Sequence, residues 1–403
     1  MKINPSRNRP APRRATQRTR ISLAAVAALT AAALTACGTG TDSTGTAAGG
    51  APSEAGVAYA KAAVDKHLPA LSNVKVPGAA VSGLDKFRGR TITYVPITLK
   101  ATYFQAQLEQ ITEAAKPLGI KVQVCDAQAQ PTVATQCLNQ AVSARSAGII
   151  TDSLPFDLAR NAYGAAAKAG IPIVASDVSD PVPSAWADRV VTTDNGQDVG
   201  SRLMADAIIA DSGGDAHVLF ANTTSTSTTK ESSDAVLDEF KKRCPGCEVT
   251  TADWETTAVQ KIPTTVSVAL NSHPAVDYVY VSYDQPAGLP AIQGIRLSGR
   301  ADKVKLVGYG SDVTAMQRLA RGSQLADTAV DPALVAWNNT DRMLRLMSGA
   351  DVPQASEYTI PRRIFNKTNI DSVHGSSVRE FKNGAWFTDG SFRDTYRKLW
   401  GVG

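Results

Sequence analysis

Four cysteines in the body of the chain could carry redox, metal or disulfide chemistry. Cys125 ends an apolar run and Cys137 lies in the predicted following helix, so a Cys125–Cys137 disulfide is the natural local pairing. Cys244 and Cys247 form a CxxC motif, which is typical of redox sites. This pair follows a helical run and three basic residues, and the dipole at a helix C-terminus disfavours a thiolate. A structural Cys244–Cys247 disulfide is therefore favoured over a redox site, and zinc is disfavoured further because no histidine is near either pair.

The usual enzymatic motifs are missing from the sequence. The four histidines have no metal-ligand spacing, and they are His67, His217, His273 and His374. The sequence contains no Gly-x-Ser-x-Gly elbow, no P-loop and no dinucleotide fingerprint after the first predicted strand. Paired carboxylates for glycoside hydrolysis stay open at this point. We expect no catalysis, no metal and no cofactor.

Short apolar runs alternate with amphipathic helical segments from residue 90 onward. Continuous apolar runs between helices indicate parallel strands that are buried on both faces. The pattern restarts near residue 195, so the sequence predicts an α/β fold with two doubly wound parallel-sheet lobes. The predicted strands cover residues 91–98, 121–125, 148–151, 171–175 and 190–193, then 217–221, 248–251, 278–281, 304–308 and 325–329.

The predicted organisation is a leader, a tether, an extension, two lobes and a tail. We expect a three-segment hinge near residues 194–195, 330–331 and 358–361. The predicted parts are a signal peptide at 1–36, a flexible tether at 37–56, an N-terminal extension at 57–89, lobe 1 at 90–194 plus 332–358, lobe 2 at 195–331, and a C-terminal crossover and tail at 359–403.

The positive charge of the chain is concentrated in its first 20 residues. The formal net charge is +5, but Lys2 and six arginines precede the first acidic residue, Asp42, so the remainder is faintly acidic. A nucleic-acid partner is therefore not expected.

The basic segment is followed by an apolar run at residues 21–34. This run is too short for a confident membrane span but is suited to a signal peptide. It ends in Leu34-Thr35-Ala36-Cys37-Gly38, which resembles a bacterial lipobox and implies lipidation of Cys37. Ordinary secretion with a chance cysteine is the alternative.

Aromatic and short polar side chains follow most of the predicted strands. Open parallel sheets place ligands at the carboxyl ends of their strands, so two facing lobes would form a cleft lined by these loops. Ring faces stack on a ligand while polar groups bond its edges. The candidate ligand residues in these loops are Tyr103, Phe104, Asp152, Asp177, Trp254, Tyr283, Asp284, Tyr309 and Asp331, and Lys230 is a candidate positive contact.

At these residues the chain resembles the ribose-binding-like, type I periplasmic binding protein family, the solute receptors of ABC importers. The resemblance covers roughly residues 90–350, and the N-terminal segment, cysteine pairs and tail resemble an actinobacterial branch of such lipoproteins. Eight short fragments occur in the family's order: Thr102-Tyr103-Phe104, Cys125-Asp126-Ala127-Gln128, Gly170-Ile171-Pro172, Asp194-Asn195, Ala252-Asp253-Trp254, Tyr283-Asp284, Val307-Gly308-Tyr309 and Asp331-Pro332.

The resemblance implies particular ligand contacts, and the departures from it alter the expected ligand. It implies that Tyr103-Phe104 and Trp254 stack on the solute and that Asp177 accepts its hydrogen bonds. The sequence departs from the family pattern at four positions, with Val178, Tyr283, Gly310 and Val330 replacing Arg, Asn, Asp and Gln. Losing these polar groups argues against an ordinary pentose site. A polyol, a modified sugar, an aromatic or an amine-bearing solute would fit.

The resemblance implies a monomeric solute receptor that closes its lobes around a small molecule. Its partners would be an ABC permease and its ATPase, with membrane attachment through the lipid on Cys37 and a location on the outer face of the cell membrane. Two alternatives remain, a sensory receptor that signals to a membrane kinase and a secreted carbohydrate-active enzyme.

Overall fold

The computed structural model of the chain describes residues 51–256, 258–373 and 375–403. The predicted leader, Cys37 and most of the predicted tether lie outside these residues. The strands are β1 (Thr91–Pro96), β2 (Lys121–Val124), β3 (Gly148–Asp152), β4 (Ile173–Ser176), β5 (Val190–Thr193), β6 (His217–Asn222), β7 (Glu248–Asp253), β8 (Tyr278–Val281), β9 (Lys305–Tyr309), β10 (Gln324–Val330) and β11 (Arg362–Asn366).

Twelve α-helices lie within the described residues, most of them between successive strands. They are α1 (Glu54–Lys66), α2 (Thr102–Ala115), α3 (Pro131–Ser143), α4 (Arg160–Lys168), α5 (Gln197–Ser212), α6 (Ser227–Arg243), α7 (Ile262–Ser272), α8 (Asp284–Leu297), α9 (Val313–Ala320), α10 (Pro332–Ser348), α11 (Val378–Lys382) and α12 (Phe392–Leu399).

Two open sheets form the two lobes. Lobe 1 contains a five-stranded sheet in the order β2-β1-β3-β4-β5, and every pair in it is parallel. Lobe 2 contains a six-stranded sheet in the order β11-β10-β9-β8-β6-β7. Its first five strands in the chain repeat the order of lobe 1 and are parallel. Only the edge strand β11 runs antiparallel, against β10.

The fold class predicted from the sequence, two doubly wound parallel-sheet lobes, is confirmed. The central strands are buried along almost their whole length, and β3, β4 and β8 are buried at every residue. Helices cover both faces of each sheet, because parallel strands are connected by crossover helices that must pack on the faces. The apolar runs in the sequence therefore mark the sheet cores.

The chain passes between the lobes three times, after β5, after β10 and before β11. The second passage is fixed at the start of α10, where the Asp331 carboxylate accepts hydrogen bonds from the backbone N–H groups of Ala333 and Leu334. Pro332 is the first residue of this helix, a position where its missing N–H costs nothing. Helix α10 then packs against α2 in lobe 1.

The N-terminal helix α1 corrects the predicted boundary of the tether. The tether was expected to reach residue 56, but the helix begins at Glu54, and the Ser53 side chain caps it by accepting from the Gly56 N–H. Ala60 and Val64 are buried in the core of lobe 2 against Leu203 of α5. The end of the predicted tether is therefore part of the folded body, because an apolar stripe on this Ala-rich segment finds a partner.

The C-terminal segment contacts both lobes. The Trp400 ring stacks on Trp337 of α10 in lobe 1 with centroids 5.4 Å apart. Phe381 and Trp386 lie in a separate apolar cluster with Phe365 of β11 in lobe 2. The segment that was predicted only as a crossover and tail, residues 359–403, therefore packs against both lobes.

Two disulfides are formed in the structure, Cys125–Cys137 in lobe 1 and Cys244–Cys247 in lobe 2. The second follows the C-terminal end of α6, where the Cys244 N–H donates to the Phe240 carbonyl. Within the described part of the chain, no helix combines the length and apolar character needed to cross a bilayer.

Candidate functional site

A cavity lies between the two lobes at the carboxyl ends of their strands. It encloses about 600 Å³ of space not occupied by atoms, including its opening to solvent. Residues from both lobes line it, and they are Ala101, Tyr103, Phe104, Ser153, Asp177, Asn195, Gln197, Tyr283, Gln285, Tyr309, Gly310, Ser311, Ala329 and Val330.

Two aromatic pairs, one from each lobe, supply the apolar surface of the cavity. Tyr103 and Phe104 lie in the first turn of α2, directly after the loop that follows β1, and their rings meet edge to face at 5.4 Å. Tyr283 follows β8 and Tyr309 ends β9, and their rings meet edge to face at 5.8 Å. Edge-to-face pairs hold each other's orientation, so both lobes present fixed rings to the cavity.

Asp177 and Ser153 form a polar corner in lobe 1. Asp177 follows β4 and Ser153 follows β3, and both have left-handed backbone conformations, with φ of 56° and 50°. The Ser153 hydroxyl donates to Asp177 Oδ2 at 2.9 Å. Non-glycine residues rarely adopt this conformation, and such strain concentrates at ligand sites. Both side chains line the cavity, so the two strained turns are explained by the position of this corner.

Hydrogen bonds join the lobes across the cavity. Gln197, at the start of α5 in lobe 2, donates from Nε2 to Asp177 Oδ2 at 2.5 Å. The Tyr283 hydroxyl donates to Gln197 Oε1 at 2.6 Å, so the two contacts form a chain between the lobes. The backbone N–H of Thr102 donates to Gln285 Oε1 at 3.1 Å. The structure is therefore a closed arrangement of the two lobes.

A further contact between the lobes lies outside the residues that line the cavity. The Ser227 hydroxyl, at the start of α6, donates to Asp180 Oδ1 at 2.7 Å. Asp180 lies in the loop after β4, three residues beyond Asp177. This contact ties the rims of the two lobes together.

Asp152 does not line the cavity but lies buried beneath it. The Tyr94 hydroxyl donates to its Oδ2 at 2.9 Å, while its Oδ1 has no hydrogen-bond partner. Burial raises the pKa of the Asp152 carboxyl well above its usual range, and the charge of Asp177 raises it further. Asp152 therefore lies behind the wall of the site and is not a lining residue.

The Asp177 carboxylate is the acidic group that faces the cavity. Burial raises the pKa of Asp177, with a smaller contribution from Asp194, while the Arg362 guanidinium lowers it. Arg362 donates to the carbonyl oxygens of Asn195 and Gly196, both at 2.8 Å, and lies over the Tyr309 ring at 5.3 Å from its centroid. Arg362 is thus held behind Tyr309 and is not a lining residue.

Trp254 and Lys230, expected to contact the ligand, lie elsewhere. Trp254 follows β7, the edge strand of lobe 2, and is only 6% exposed. Its indole N–H donates to the Ala221 carbonyl, and its ring packs in the core with Ile262 and Val266. Lys230 lies on the solvent face of α6 and pairs with Asp234 at 2.6 Å.

Two predicted carboxylates are structural in this arrangement. Asp284 is buried under the sheet of lobe 2, where it forms an ion pair with Arg318 and accepts from Gln324 Nε2 at 2.9 Å. Asp331 caps α10 and accepts from the Thr388 hydroxyl at 2.8 Å. Both residues follow strand ends, but their oxygens are occupied by partners away from the cavity.

The structure brings together Tyr103, Phe104, Asp177, Tyr283 and Tyr309 from the set predicted by sequence. It adds five polar side chains that sequence reasoning missed, Ser153, Asn195, Gln197, Gln285 and Ser311. Asn195 lies at the predicted hinge, and Gln197 is the first residue of the helix that follows it. Their position beside the first interlobe passage could have indicated that they line the cavity.

Among the described residues, no cluster of three or more His, Cys, Asp or Glu side chains could hold a metal ion.

Several solved structures share this architecture at low sequence identity. A periplasmic solute-binding protein of an ABC transporter from Actinobacillus succinogenes 130z, with bound D-allose, has a TM-score of 0.62 at 18% identity and covers 70% of this chain and 99% of its own. A solute-binding protein from Agrobacterium vitis with bound α-D-tagatopyranose has a TM-score of 0.64 at 17% identity, covering 72% and 98%.

A carbohydrate transporter from Acidothermus cellulolyticus 11B, in complex with myo-inositol, has a TM-score of 0.59 at 18% identity and covers 72% of this chain and 99% of its own. At these sequence identities, the structural similarity shows only that the chain shares the fold of these proteins.

No curated protein matches the chain. The family model described as a periplasmic binding protein domain matches residues 92–351, which span both lobes and α10. The chain belongs to the periplasmic binding protein family.

Proposed function

We propose that the protein is an extracytoplasmic receptor of an ABC importer that binds a small, ring-containing polar solute between its lobes. The observation that carries this proposal is the composition of the cavity, in which aromatic pairs from both lobes surround the buried Asp177 carboxylate. Rings suit the faces of a cyclic solute, and a carboxylate with a free oxygen suits its hydrogen-bond donors.

The solved structures support a cyclic, hydroxyl-rich solute class. The three proteins described above hold D-allose, α-D-tagatopyranose and myo-inositol, which are all rings that carry several hydroxyl groups. Their sequences differ too much from this chain for one ligand to be transferred. The class of small ring-containing polar solutes is therefore the level at which the function is proposed.

Ligand binding would couple to closure of the lobes. In an open form, the solute contacts one lobe, and rotation about the three interlobe passages then forms the contacts Gln197–Asp177, Thr102–Gln285 and Ser227–Asp180. The solute shifts the equilibrium because it binds the closed form more tightly than the open one. Only the closed form then docks productively on the permease.

The remaining parts of the proposal concern location and partners. The leader at 1–36 would direct export, and lipidation of Cys37 would anchor the body to the outer face of the membrane through a tether that ends at α1. The partners would be one permease and its ATPase, and the receptor would act as a monomer. It would bind its solute without converting it.

A binding screen followed by an uptake assay tests the proposal. The exported body is titrated with sugars, polyols, nucleosides and aromatic acids while its thermal unfolding is followed. A solute at about 100 times its dissociation constant should stabilise the protein by roughly 2.7 kcal/mol. Deleting the gene should then abolish uptake of that solute. Chemical conversion of the bound compound, or binding to unfolded protein alone, would contradict the receptor function.

A further inference from the structure

Much of the donor capacity of the cavity wall is used within the protein. Gln197, Tyr283 and Gln285 each donate one side-chain hydrogen, to Asp177, Gln197 and Asp312. The Ser153 and Ser311 hydroxyls likewise donate to buried carboxylates, Asp177 and Asp327. Each of these lining residues therefore directs a hydrogen back into the protein.

The acceptors at the same wall are free. Asp177 is 7% exposed and Asn195 is 2% exposed, and the Oδ1 atom of each is buried without a hydrogen-bond partner. A buried acceptor without a donor costs about 1–3 kcal/mol, more when it is charged. Two unsatisfied acceptors on residues of one wall indicate that the bound solute supplies donors.

The charges around the cavity point in the same direction. No described residue that lines the cavity is Lys, Arg or His. The Asp177 carboxylate faces the cavity, while the Arg362 guanidinium is held behind Tyr309 by backbone carbonyls. The exposed Asp194 adds a further negative charge near Asp177. An anionic solute would therefore find no cationic side chain among the described lining residues to pair with.

The aromatic residues complete the environment of a cation. Tyr103 and Phe104 from lobe 1 and Tyr283 and Tyr309 from lobe 2 put four rings on the cavity wall. Ring faces attract ammonium groups by about 0.5–2 kcal/mol, most strongly where water is excluded. Rings beside a carboxylate with a free oxygen form an environment in which an ammonium group is stabilised from several sides.

We infer that the solute is a cyclic compound bearing a protonated amine, with its ammonium group bound by Asp177 and Asn195 between the aromatic pairs. This inference rests on the proposed function and narrows it. An ammonium group is a donor without acceptor capacity, so it satisfies Asp177 Oδ1 and Asn195 Oδ1 at once. A neutral hydroxyl supplies only one hydrogen and also brings lone pairs, which neither of these acceptors can satisfy.

Matched compounds that differ only at the nitrogen test this inference. Glucosamine, galactosamine and mannosamine are titrated by calorimetry near pH 6.5, each beside its parent hexose and its N-acetyl derivative. Tyramine is titrated beside the alcohol in which a hydroxyl replaces its amine. We expect at least one amine to bind roughly tenfold or more tightly than its neutral partners, as a hydrogen-bonded charge would give.

The variant Asp177→Asn removes the charge while keeping the shape, and asparagine tolerates the left-handed backbone at this position. We expect it to abolish the preference for the amine. The matched control is Asp302→Asn, which removes the same charge from an exposed turn before β9, at the opposite end of the sheet, and should keep the preference. If Asp177→Asn does not fold, the matched compounds decide the question on the unaltered protein.

The possible results separate this inference from the proposed function. A preference for amines that depends on Asp177 supports both. Binding of the neutral hexoses or N-acetyl compounds as tight as that of the amines overturns the cationic solute and leaves the receptor function standing. A preference for amines that survives in Asp177→Asn overturns the assigned position of the ammonium group. Absence of binding in every arm counts against the inference, while the wider screen still decides the receptor function.

Discussion

At the scale of single residues, the position of a side chain after a strand does not determine whether it faces the cavity. Asp177 and Asp331 both directly follow a strand, yet Asp177 faces the cavity while Asp331 caps α10. The difference lies in what comes next in the chain. An Asp-Pro pair before a helical run is a signature of a helix start, and Asp331-Pro332 carries it.

Substitution of Trp254 can decide between two roles for this residue. The family resemblance implies that it stacks on the solute, whereas the structure places it in the core of lobe 2. Its burial in the core of lobe 2 predicts that Trp254→Ala destabilises the protein by about 3–5 kcal/mol, the usual cost of removing a large core ring. Affinity for the solute, measured below the unfolding transition, should stay within about threefold of the unaltered protein. Urea unfolding and calorimetry measure the two quantities.

The variant Trp254→Phe is the matched control, since it keeps a ring in the core and loses only the bond to Ala221 and some volume. It should recover most of the stability. A large loss of affinity in Trp254→Ala with little loss of stability would instead support the stacking role that the family resemblance implies.

At the scale of elements, the packing of α5 against α6 buries an acidic pair. Asp206 of α5 is 2% exposed, and Glu239 of α6 is its acidic neighbour. Burial raises the pKa of Asp206 to about 7, and the charge of Glu239 raises it further, while Arg243 and Arg202 act in the opposite direction. Both arginines form ion pairs with Glu239, at 3.2 and 3.5 Å.

This arrangement predicts that stability falls as the pH rises. The folded protein holds a proton on Asp206 up to about pH 7, whereas the unfolded chain releases it near pH 4. The contribution of this group is therefore complete below about pH 4 and is lost as the pH passes 7. Asp206→Asn lacks this slope and should be more stable at about pH 8 by on the order of 1–3 kcal/mol.

Urea unfolding of both proteins at several pH values measures this difference. The advantage of Asp206→Asn should shrink steadily towards pH 4, where the two carry the same charge at this position. Asp238→Asn, a substitution of an exposed carboxylate on the same helix as Glu239, should show no such trend. Equal pH dependence of Asp206→Asn and the unaltered protein would contradict the assigned burial of Asp206.

The sequence predicts some elements well and others poorly for physical reasons. Parallel strands are buried on both faces, so β3, β4 and β8 appear as apolar runs with little ambiguity. Helix α1 was included in part in the tether, because its Ala-rich sequence resembles the segment before it. Its stability comes from packing on α5, a tertiary contact that no local pattern reveals.

At the scale of the whole molecule, the function depends on a cavity that exists only when the lobes are together. The sequence predicted which loops would meet, since carboxyl ends of parallel strands share one edge of each sheet. It did not predict the polar contacts across the cleft. Gln197, Gln285 and Asn195 become adjacent to Asp177 or to α2 only through the relative placement of the lobes.

Locking the lobes tests whether the solute binds between them and is enclosed by closure. Asp180 and Ser227 face each other across the rim, with their side-chain oxygens 2.7 Å apart. The double variant Asp180→Cys, Ser227→Cys can therefore be cross-linked by oxidation, either with or without the solute that gives the largest thermal shift. Each single variant treated in the same way is the control.

Equilibrium dialysis of labelled solute is the deciding measurement. We predict that protein oxidised in the presence of solute retains it through dialysis, that protein oxidised without solute takes up none, and that reduction restores exchange in both. Unhindered uptake and release by the oxidised double variant, at the rates of the single variants, would show instead that the solute binds outside the cleft.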